Sequence, residues 1–205
     1  EFNAWGVPPN GPNHVPDLVF TRMLSGPMDY TPGAFDLRPS ERPPVSEKLP
    51  RHDKRSRIEH TIAKELSLYV VLYSPVQMVM DLPENYDARP DAFQFIKDVA
   101  VDWEHSIGLQ GEVGEYVAIA RKDRHSNDWY VGALTNESAR NVAIALDFLD
   151  PETQYTAQIY RDGKEADYEH NPYDLVVESQ TVIASDTLNF ALGRSGGVAI
   201  RFSPK

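Results

Sequence analysis

Glu115-Tyr116-Val117-Ala118-Ile119-Ala120-Arg121, a polar stretch over 122–128, and Trp129-Tyr130-Val131-Gly132-Ala133-Leu134-Thr135 decide the fold of the second half of the chain. Both runs are rich in β-branched and aromatic side chains, which suit a pleated surface, and the polar stretch between them predicts an antiparallel hairpin. Working outward, residues 141–148 predict a third strand. Residues 155–160 and 165–168 flank Arg161-Asp162-Gly163-Lys164, whose Asp-Gly step signals a tight turn. Residues 175–178, 181–183 and 197–202 supply further strands. Several short strands at regular spacing predict an antiparallel β-sandwich or barrel.

The first half has a different grammar. Residues 6–16 hold four prolines and two glycines and read as an irregular loop. Residues 17–24 suit a short helix with Asp17 at its favourable end, stopped by Ser25-Gly26-Pro27. Met28-Asp29-Tyr30 predicts a short strand, and residues 31–56 a polar, proline-rich loop. Residues 57–73 carry the strongest helical signal: Ile58, Ile62, Leu66 and Tyr69 share one face, widened by Ala63, Val70 and Tyr73. Ser74-Pro75 ends it, and a second helix is expected over 90–97. A glutamate at a strand end, then loop, helix, strand, loop and long helix, is the order of the closing segments of a (β/α)8 barrel. Such a barrel needs about 250 residues, so the chain is expected to begin inside a domain. The expected class is α/β plus all-β: the C-terminal part of a (β/α)8 barrel over 1–99, then an antiparallel β-sandwich domain over 100–205.

Composition narrows the function. The 205 residues are 41% hydrophobic and 25% charged, enough for one large domain or two small ones. The formal net charge is -11. That argues against a nucleic-acid or anionic-membrane binder, which would need a basic face. No apolar run approaches the roughly 18 residues of a membrane span. There is no cysteine, which excludes disulfides and thiolate metal sites and suits any compartment, the bacterial periplasm included. The opening Glu1-Phe2-Asn3-Ala4-Trp5 has neither a basic n-region nor an apolar h-region, so a signal peptide is expected only in a longer precursor. The basic run His52-Asp53-Lys54-Arg55-Ser56-Arg57 is short, interrupted by Asp53 and followed by a helix, and reads as a solvated helix start. No nucleophile elbow, P-loop or zinc motif is present.

Four motifs, in order along the chain, resemble glycoside hydrolase family 97. They are Glu1-Phe2-Asn3-Ala4-Trp5; the long run Phe20-Thr21-Arg22-Met23-Leu24-Ser25-Gly26-Pro27-Met28-Asp29-Tyr30-Thr31-Pro32-Gly33; Asp81-Leu82-Pro83-Glu84-Asn85-Tyr86; and Gly111-Glu112-Val113-Gly114-Glu115-Tyr116 with Trp129-Tyr130-Val131-Gly132-Ala133 and Thr135-Asn136. The resemblance implies an N-terminal β-sandwich, a (β/α)8 catalytic barrel and a C-terminal β domain, with this chain starting near the seventh barrel strand. It implies an exported, typically periplasmic bacterial enzyme that removes terminal sugars from α-glucosides, or next from α-galactosides, with a calcium ion in its active site. Its partners would be an oligosaccharide or α-glycoside substrate and the N-terminal portion of the same enzyme. The alternative is a noncatalytic carbohydrate-binding or structural fragment.

By the same resemblance Glu1 is the general acid and a calcium ligand. An acid must protonate the departing glycosidic oxygen, and a second carboxylate must work on the other side of the sugar. That partner and the other calcium ligands are expected upstream of these residues. Trp5 is a candidate stacking platform and His14 a candidate hydrogen-bond partner for a sugar hydroxyl. Asn13 stands where related sequences often carry an acid. Asp29, near the end of its predicted strand, is the third candidate contact with substrate. Arg22 is expected to be a structural ion-pair partner, Glu112 and Glu115 surface acids, and Trp103, Trp129 and Tyr130 core aromatics.

Overall fold

The computed structural model describes residues 10–39 and 57–205. Glu1, Trp5, most of the proline-rich loop and the basic run through Ser56 lie outside the described residues. The elements are α1 (His14–Phe20), a 3-10 turn (Arg22–Ser25), α2 (Ile62–Val71), α3 (Pro83–Asp87) and α4 (Pro90–Asp98). Eight strands follow: β1 (Trp103–Glu112), β2 (Tyr116–Asp123), β3 (Trp129–Thr135), β4 (Arg140–Ala145), β5 (Tyr155–Asp162), β6 (Leu175–Val182), β7 (Thr187–Leu192) and β8 (Gly197–Pro204).

Six strands form one antiparallel sheet in the order β1-β2-β3-β8-β5-β6, and β4 pairs with β7 in a second, two-stranded sheet. The predicted hairpin is present, with Ala118 opposite Ala133 and Ala120 opposite Val131. The large sheet is covered on both faces. On one side the β4–β7 pair closes a core of Trp129, Val131, Ile144, Phe190, Ile200 and Phe202. β4 and β7 alternate strictly, with Val142, Ile144, Leu188, Phe190 and Leu192 inward and their neighbours exposed, as a sheet with one wet face requires.

On the other face lies α2, packed across β3 and β8. All ten of its residues are buried, Lys64, Glu65 and Ser67 included. The helix begins later than the apolar periodicity suggests because Thr61 is its N-cap, its hydroxyl accepting from the Lys64 N–H at 3.2 Å. At the other end Arg121, on β2, donates to the carbonyls of Val70 (2.6 Å) and Val71 (3.4 Å). A cation there meets the negative end of the helix dipole. α4 starts on Pro90 with Asp91 in its first turn and Lys97 in its last. Tyr130 on β3 donates to the Asp98 carbonyl at 2.7 Å, joining α4 to the sheet. Phe95 packs edge-on against Tyr160, with ring centres 5.2 Å apart.

Several expectations are corrected. Among the described residues before Trp103 no β-strand forms: around residue 29 the backbone makes single bonds, Met28 N–H to Tyr73 C=O and Met80 N–H to Pro32 C=O, not a ladder. The first helix starts at His14 and gives way to a 3-10 turn at Arg22. Residues 165–168 are not a strand. β5 runs on through Asp162 and pairs with β6, which unites the two short strands expected at 175–183. β1, α3 and β7 were not anticipated.

Candidate functional site

Three buried polar side chains gather around the start of α2, Lys64 and Glu65 on the helix and Asp162 on β5, and each draws a remote segment to itself. Lys64 is fully buried. Its Nζ donates to the Pro12 carbonyl, the Thr135 carbonyl and Ser195 Oγ, each at 2.9 Å. Burial lowers its pKa to about 7, against the opposing pull of Glu65, Asp162, Glu137 and Glu59. Glu65 accepts from the N–H groups of Gly33 (3.0 Å) and Ala34 (3.2 Å), and its other oxygen pairs with His60 Nδ1. Burial holds His60 below the usual imidazole value. Asp162, at the end of β5, accepts from Thr61 Oγ1 (2.7 Å) and from the N–H groups of Gly193 and Gly197 (2.9 Å each). Burial raises its pKa to about 6.

Two loops therefore converge on one end of α2. The first is the turn before α1, in which His14 N–H donates to Gly11 C=O at 3.0 Å and Asn13 Nδ2 donates to Asp17 at 3.2 Å. The second runs over Gly33–Asp36. Glu65 holds its start, Asp81 accepts from the N–H groups of Phe35 (2.7 Å) and Asp36 (2.6 Å), and the Tyr86 hydroxyl donates to Gly33 C=O at 2.8 Å. Gly33 has φ +87°, and a Cβ there would stand 2.3 Å from the Tyr69 hydroxyl, so only glycine fits. The long motif ending at Gly33 and the motif Asp81–Tyr86 are thus two halves of one interlock.

His14 is half-buried at the first residue of α1. Burial holds its pKa below the ordinary value, against Asp17, and the charge of Lys64 acts in the same sense as burial. Asp29 is exposed and lies elsewhere. Its neighbours bind the opposite end of α2: Met28 N–H reaches Tyr73 C=O, and the Tyr30 hydroxyl donates to Leu72 C=O at 3.0 Å. The structure does not bring His14 and Asp29 together. Among the described residues Arg22 makes no ion pair of the kind expected; its guanidinium donates to the carbonyls of Gly26 (3.3 Å) and Pro27 (3.2 Å). Trp103 and Tyr130 are core aromatics as expected, with ring centres 5.6 Å apart. Glu115 is bonded to Arg140 at 2.6 Å.

A profile described as "Glycosyl-hydrolase 97 C-terminal, oligomerisation" matches residues 102–203. A glycoside hydrolase family 97 enzyme from Pseudoalteromonas sp. strain K8 is 54% identical over 100% of this chain, with a TM-score of 0.90. The chain belongs to glycoside hydrolase family 97. Structures of that Pseudoalteromonas enzyme are in complex with panose and with acarbose, and this chain covers 30% of its length. The retaining α-galactosidase of Bacteroides thetaiotaomicron is 35% identical over 90% of the chain. A probable retaining α-galactosidase of Streptomyces bingchenggensis is 30% identical over 93%. The chain spans 26% of each of these two relatives.

The calcium ion that the sequence resemblance implies takes about 6–8 oxygen ligands. Among the described residues the metal-ligating side chains that converge are Asp167, Glu169 and His170. They do not fit that ion. Arg194 already bridges Asp167 (3.2 Å) and Glu169 (2.8 Å), His170 bonds Asp167, and the group lies in the β domain. Beside His14 the carboxylate is Asp17, which accepts from Asn13 Nδ2 at 3.2 Å, and among the described residues no group of three metal-ligating side chains forms there.

The residues that sequence reading missed are Lys64, Glu65, Asp162 and Ser195. A lysine and a glutamate beside an apolar stripe read as a solvated helix edge. The one local signal is Asp162-Gly163, a step that marks a turn in sequence and proves to be a buried acceptor as well.

Proposed function

We propose that the chain is the C-terminal part of an exported bacterial glycoside hydrolase that cleaves terminal α-glycosidic bonds, α-glucosides first and α-galactosides next. The observation that carries this reading is the 54% identity, over the full chain, to a family 97 enzyme in complex with panose, a trisaccharide of α-linked glucose. The α-galactosidase relatives at 35% and 30% identity keep the second substrate in play. In this reading the first half of the chain belongs to the catalytic end of the enzyme, and the N-terminal end of α2 holds both the turn at Gly11–His14, through Lys64, and the loop at Gly33, through Glu65.

Glu1 is the general acid of the proposal. It protonates the leaving oxygen while a carboxylate from the rest of the enzyme works on the other side of the sugar. His14 bonds a sugar hydroxyl, Trp5 stacks on a sugar face and Asp29 remains the third candidate contact. Calcium belongs to the same proposal, with Glu1 as its ligand from this chain. The profile over residues 102–203 names oligomerisation, so the β domain is assigned to assembly and not to sugar binding.

The test is sugar release from nitrophenyl α-glucoside and α-galactoside by the full-length polypeptide. Turnover that falls roughly 100- to 10,000-fold in Glu1→Gln, and that drops on chelation and returns with calcium, supports the reading. Absence of release from either sugar, or a Glu1→Gln enzyme as active as its parent, sinks it. Sedimentation of the full-length polypeptide as a monomer at all concentrations would overturn the assembly role.

A further inference from the structure

We infer that Lys64 is a positioning residue for sugar cleavage: it holds the turn at Gly11–His14 against the β domain and acts on the reaction through His14. The inference rests on the reading of the chain as part of a glycosidase.

The geometry points one way. Lys64 is fully buried and makes no direct ion pair among the described residues; its three N–H donors go to a carbonyl of the turn before α1, a carbonyl at the end of β3 and a hydroxyl just before β8. These partners are 52, 71 and 131 residues away in sequence. Burying an ammonium without a contacting carboxylate is a poor way to gain stability, since an apolar side chain of similar length would avoid the desolvation cost. What the ammonium does supply is a fixed position for Pro12, and Pro12 lies inside the turn closed by the bond from His14 N–H to Gly11 C=O.

The β domain secures the other two corners. Ser195 has φ +49°, an uncommon backbone for a serine. It is held there by its N–H to Asn136 C=O at 2.6 Å and by its hydroxyl, which donates to Glu59 C=O at 2.5 Å while accepting from Lys64. Asn136 is itself held in place: its N–H donates to Glu115 C=O at 2.8 Å, its Nδ2 donates to Gly114 C=O at 3.1 Å, and its Oδ1 accepts from Ser138 N–H at 3.0 Å. The position of His14 is thus referred, through Lys64, to the frame of the β domain. The charge of Lys64 also lowers the proton affinity of His14, which places the two groups within electrostatic reach.

A double-mutant cycle in the full-length enzyme tests this. Lys64→Met should lower kcat/KM roughly 10- to 100-fold, the loss expected when a reacting group is misplaced by about 1 Å. His14→Ala should lower it at least as much, and the double variant should be no worse than His14→Ala alone. Losses that multiply, or a silent His14→Ala, overturn the inference. If Lys64→Met does not fold, Ser195→Ala, which removes one acceptor and keeps the lysine, takes its place in the same cycle with a smaller loss and the same coupling. Glu1→Gln separates the two levels. If it is fully active while the cycle still couples, the role of Glu1 fails and that of Lys64 stands. If it is inactive while the losses multiply, Lys64 fails alone. A parent enzyme that neither releases nor binds glucose or galactose by calorimetry overturns both.

Discussion

Asp162 accepts a 2.7 Å hydrogen bond from the hydroxyl of Thr61, 101 residues before it. Thr61 is the N-cap of α2 and Asp162 the last residue of β5, so one carboxylate joins the start of the helix to the end of a strand. The same carboxylate takes the N–H groups of Gly193 and Gly197. Asp162→Ala would leave these three donors buried without an acceptor. It should cost about 3–5 kcal/mol, read as a drop in melting temperature. Asp162→Asn should recover only part, because its amide turns a donor toward donors. A melting temperature unchanged in Asp162→Ala would show that the bonds contribute nothing.

Lys64 should give the fold a pH dependence of known sign. Its pKa of about 7 when folded lies below the roughly 10.4 of an unfolded lysine. Between these values the unfolded chain holds the extra proton, so stability rises with pH from about 7 to 10, and this contribution is lost as pH falls through 7. Asp162 works in the other direction. Its folded value of about 6 is above the usual carboxylate range, so its contribution is present below about pH 4 and lost as pH rises toward 6. The titratable and charged groups facing Lys64 are Glu65, Glu59 and His60 around the start of α2, Asp162 on β5, Glu137 after β3, and His14 on α1. Melting temperature followed from pH 6 to 10 should climb in the parent and flatten in Lys64→Met. Equal slopes in the two would remove Lys64 as the cause.

Arg121 should be irreplaceable even by lysine. Its guanidinium spans three acceptors: Val70 C=O, Val71 C=O and Ser106 Oγ, the last at 2.6 Å. It also lies over the rings of Tyr73 and Trp103, at 5.7 and 6.0 Å. A lysine keeps the charge but cannot make the planar fork. Arg121→Lys is expected to cost about 1–3 kcal/mol, and Arg121→Met more, by thermal melting. Parity of Arg121→Lys with the parent would mean that charge alone matters at this helix end.

How far the sequence could be read differs from element to element. The hairpin β2–β3 was legible because its two runs are rich in β-branched and aromatic side chains and are separated by a polar stretch. β7 is legible in principle: in Thr187-Leu188-Asn189-Phe190-Ala191-Leu192 the large apolar side chains fall at every second position, but the run is only six residues long. β1 was not, because its ten residues are largely exposed and carry Gly108 and Gly111, so neither alternation nor propensity marks them. Residues 57–60 share the apolar period of α2 but not its helix, since the cap at Thr61 decides where the helix begins. The polar centre was the least legible part. Nothing local tells that Lys64 finds its acceptors 52 to 131 residues away, or that Glu65 is filled by the N–H groups of Gly33 and Ala34. Motif matching pointed to Glu1, Trp5, His14 and Asp29 one at a time; only the fold shows that His14 and Asp29 belong to opposite ends of α2.

The placement of α2 also depends on what the sheet beneath it lacks. Gly132 on β3 and Gly197 on β8 face the helix, and Ala199 lies opposite Gly132 in the ladder. A Cβ on Gly132 would stand 2.8 Å from the Ser67 carbonyl and 2.9 Å from Val70 Cβ; one on Gly197 would stand 2.8 Å from Lys64 Cα. These are backbone and Cβ atoms in the middle of a buried helix, so no rotamer change relieves the contact. Gly132→Ala must therefore lift the helix, at a cost of about 1–3 kcal/mol for overpacking. Because Lys64 rides on the same helix, the lift should also lengthen its bonds to Pro12 and Thr135. Turnover should then fall by more than the loss of folded enzyme explains. Gly108→Ala on β1 is the matched control: nothing lies within 4 Å of a Cβ there, so its effect should stay within about 0.5 kcal/mol. If Gly132→Ala melts with the parent, the close floor is not what seats α2. If its turnover falls only in step with the folded fraction, the route from the β domain through Lys64 to the catalytic end of the chain is broken at this step.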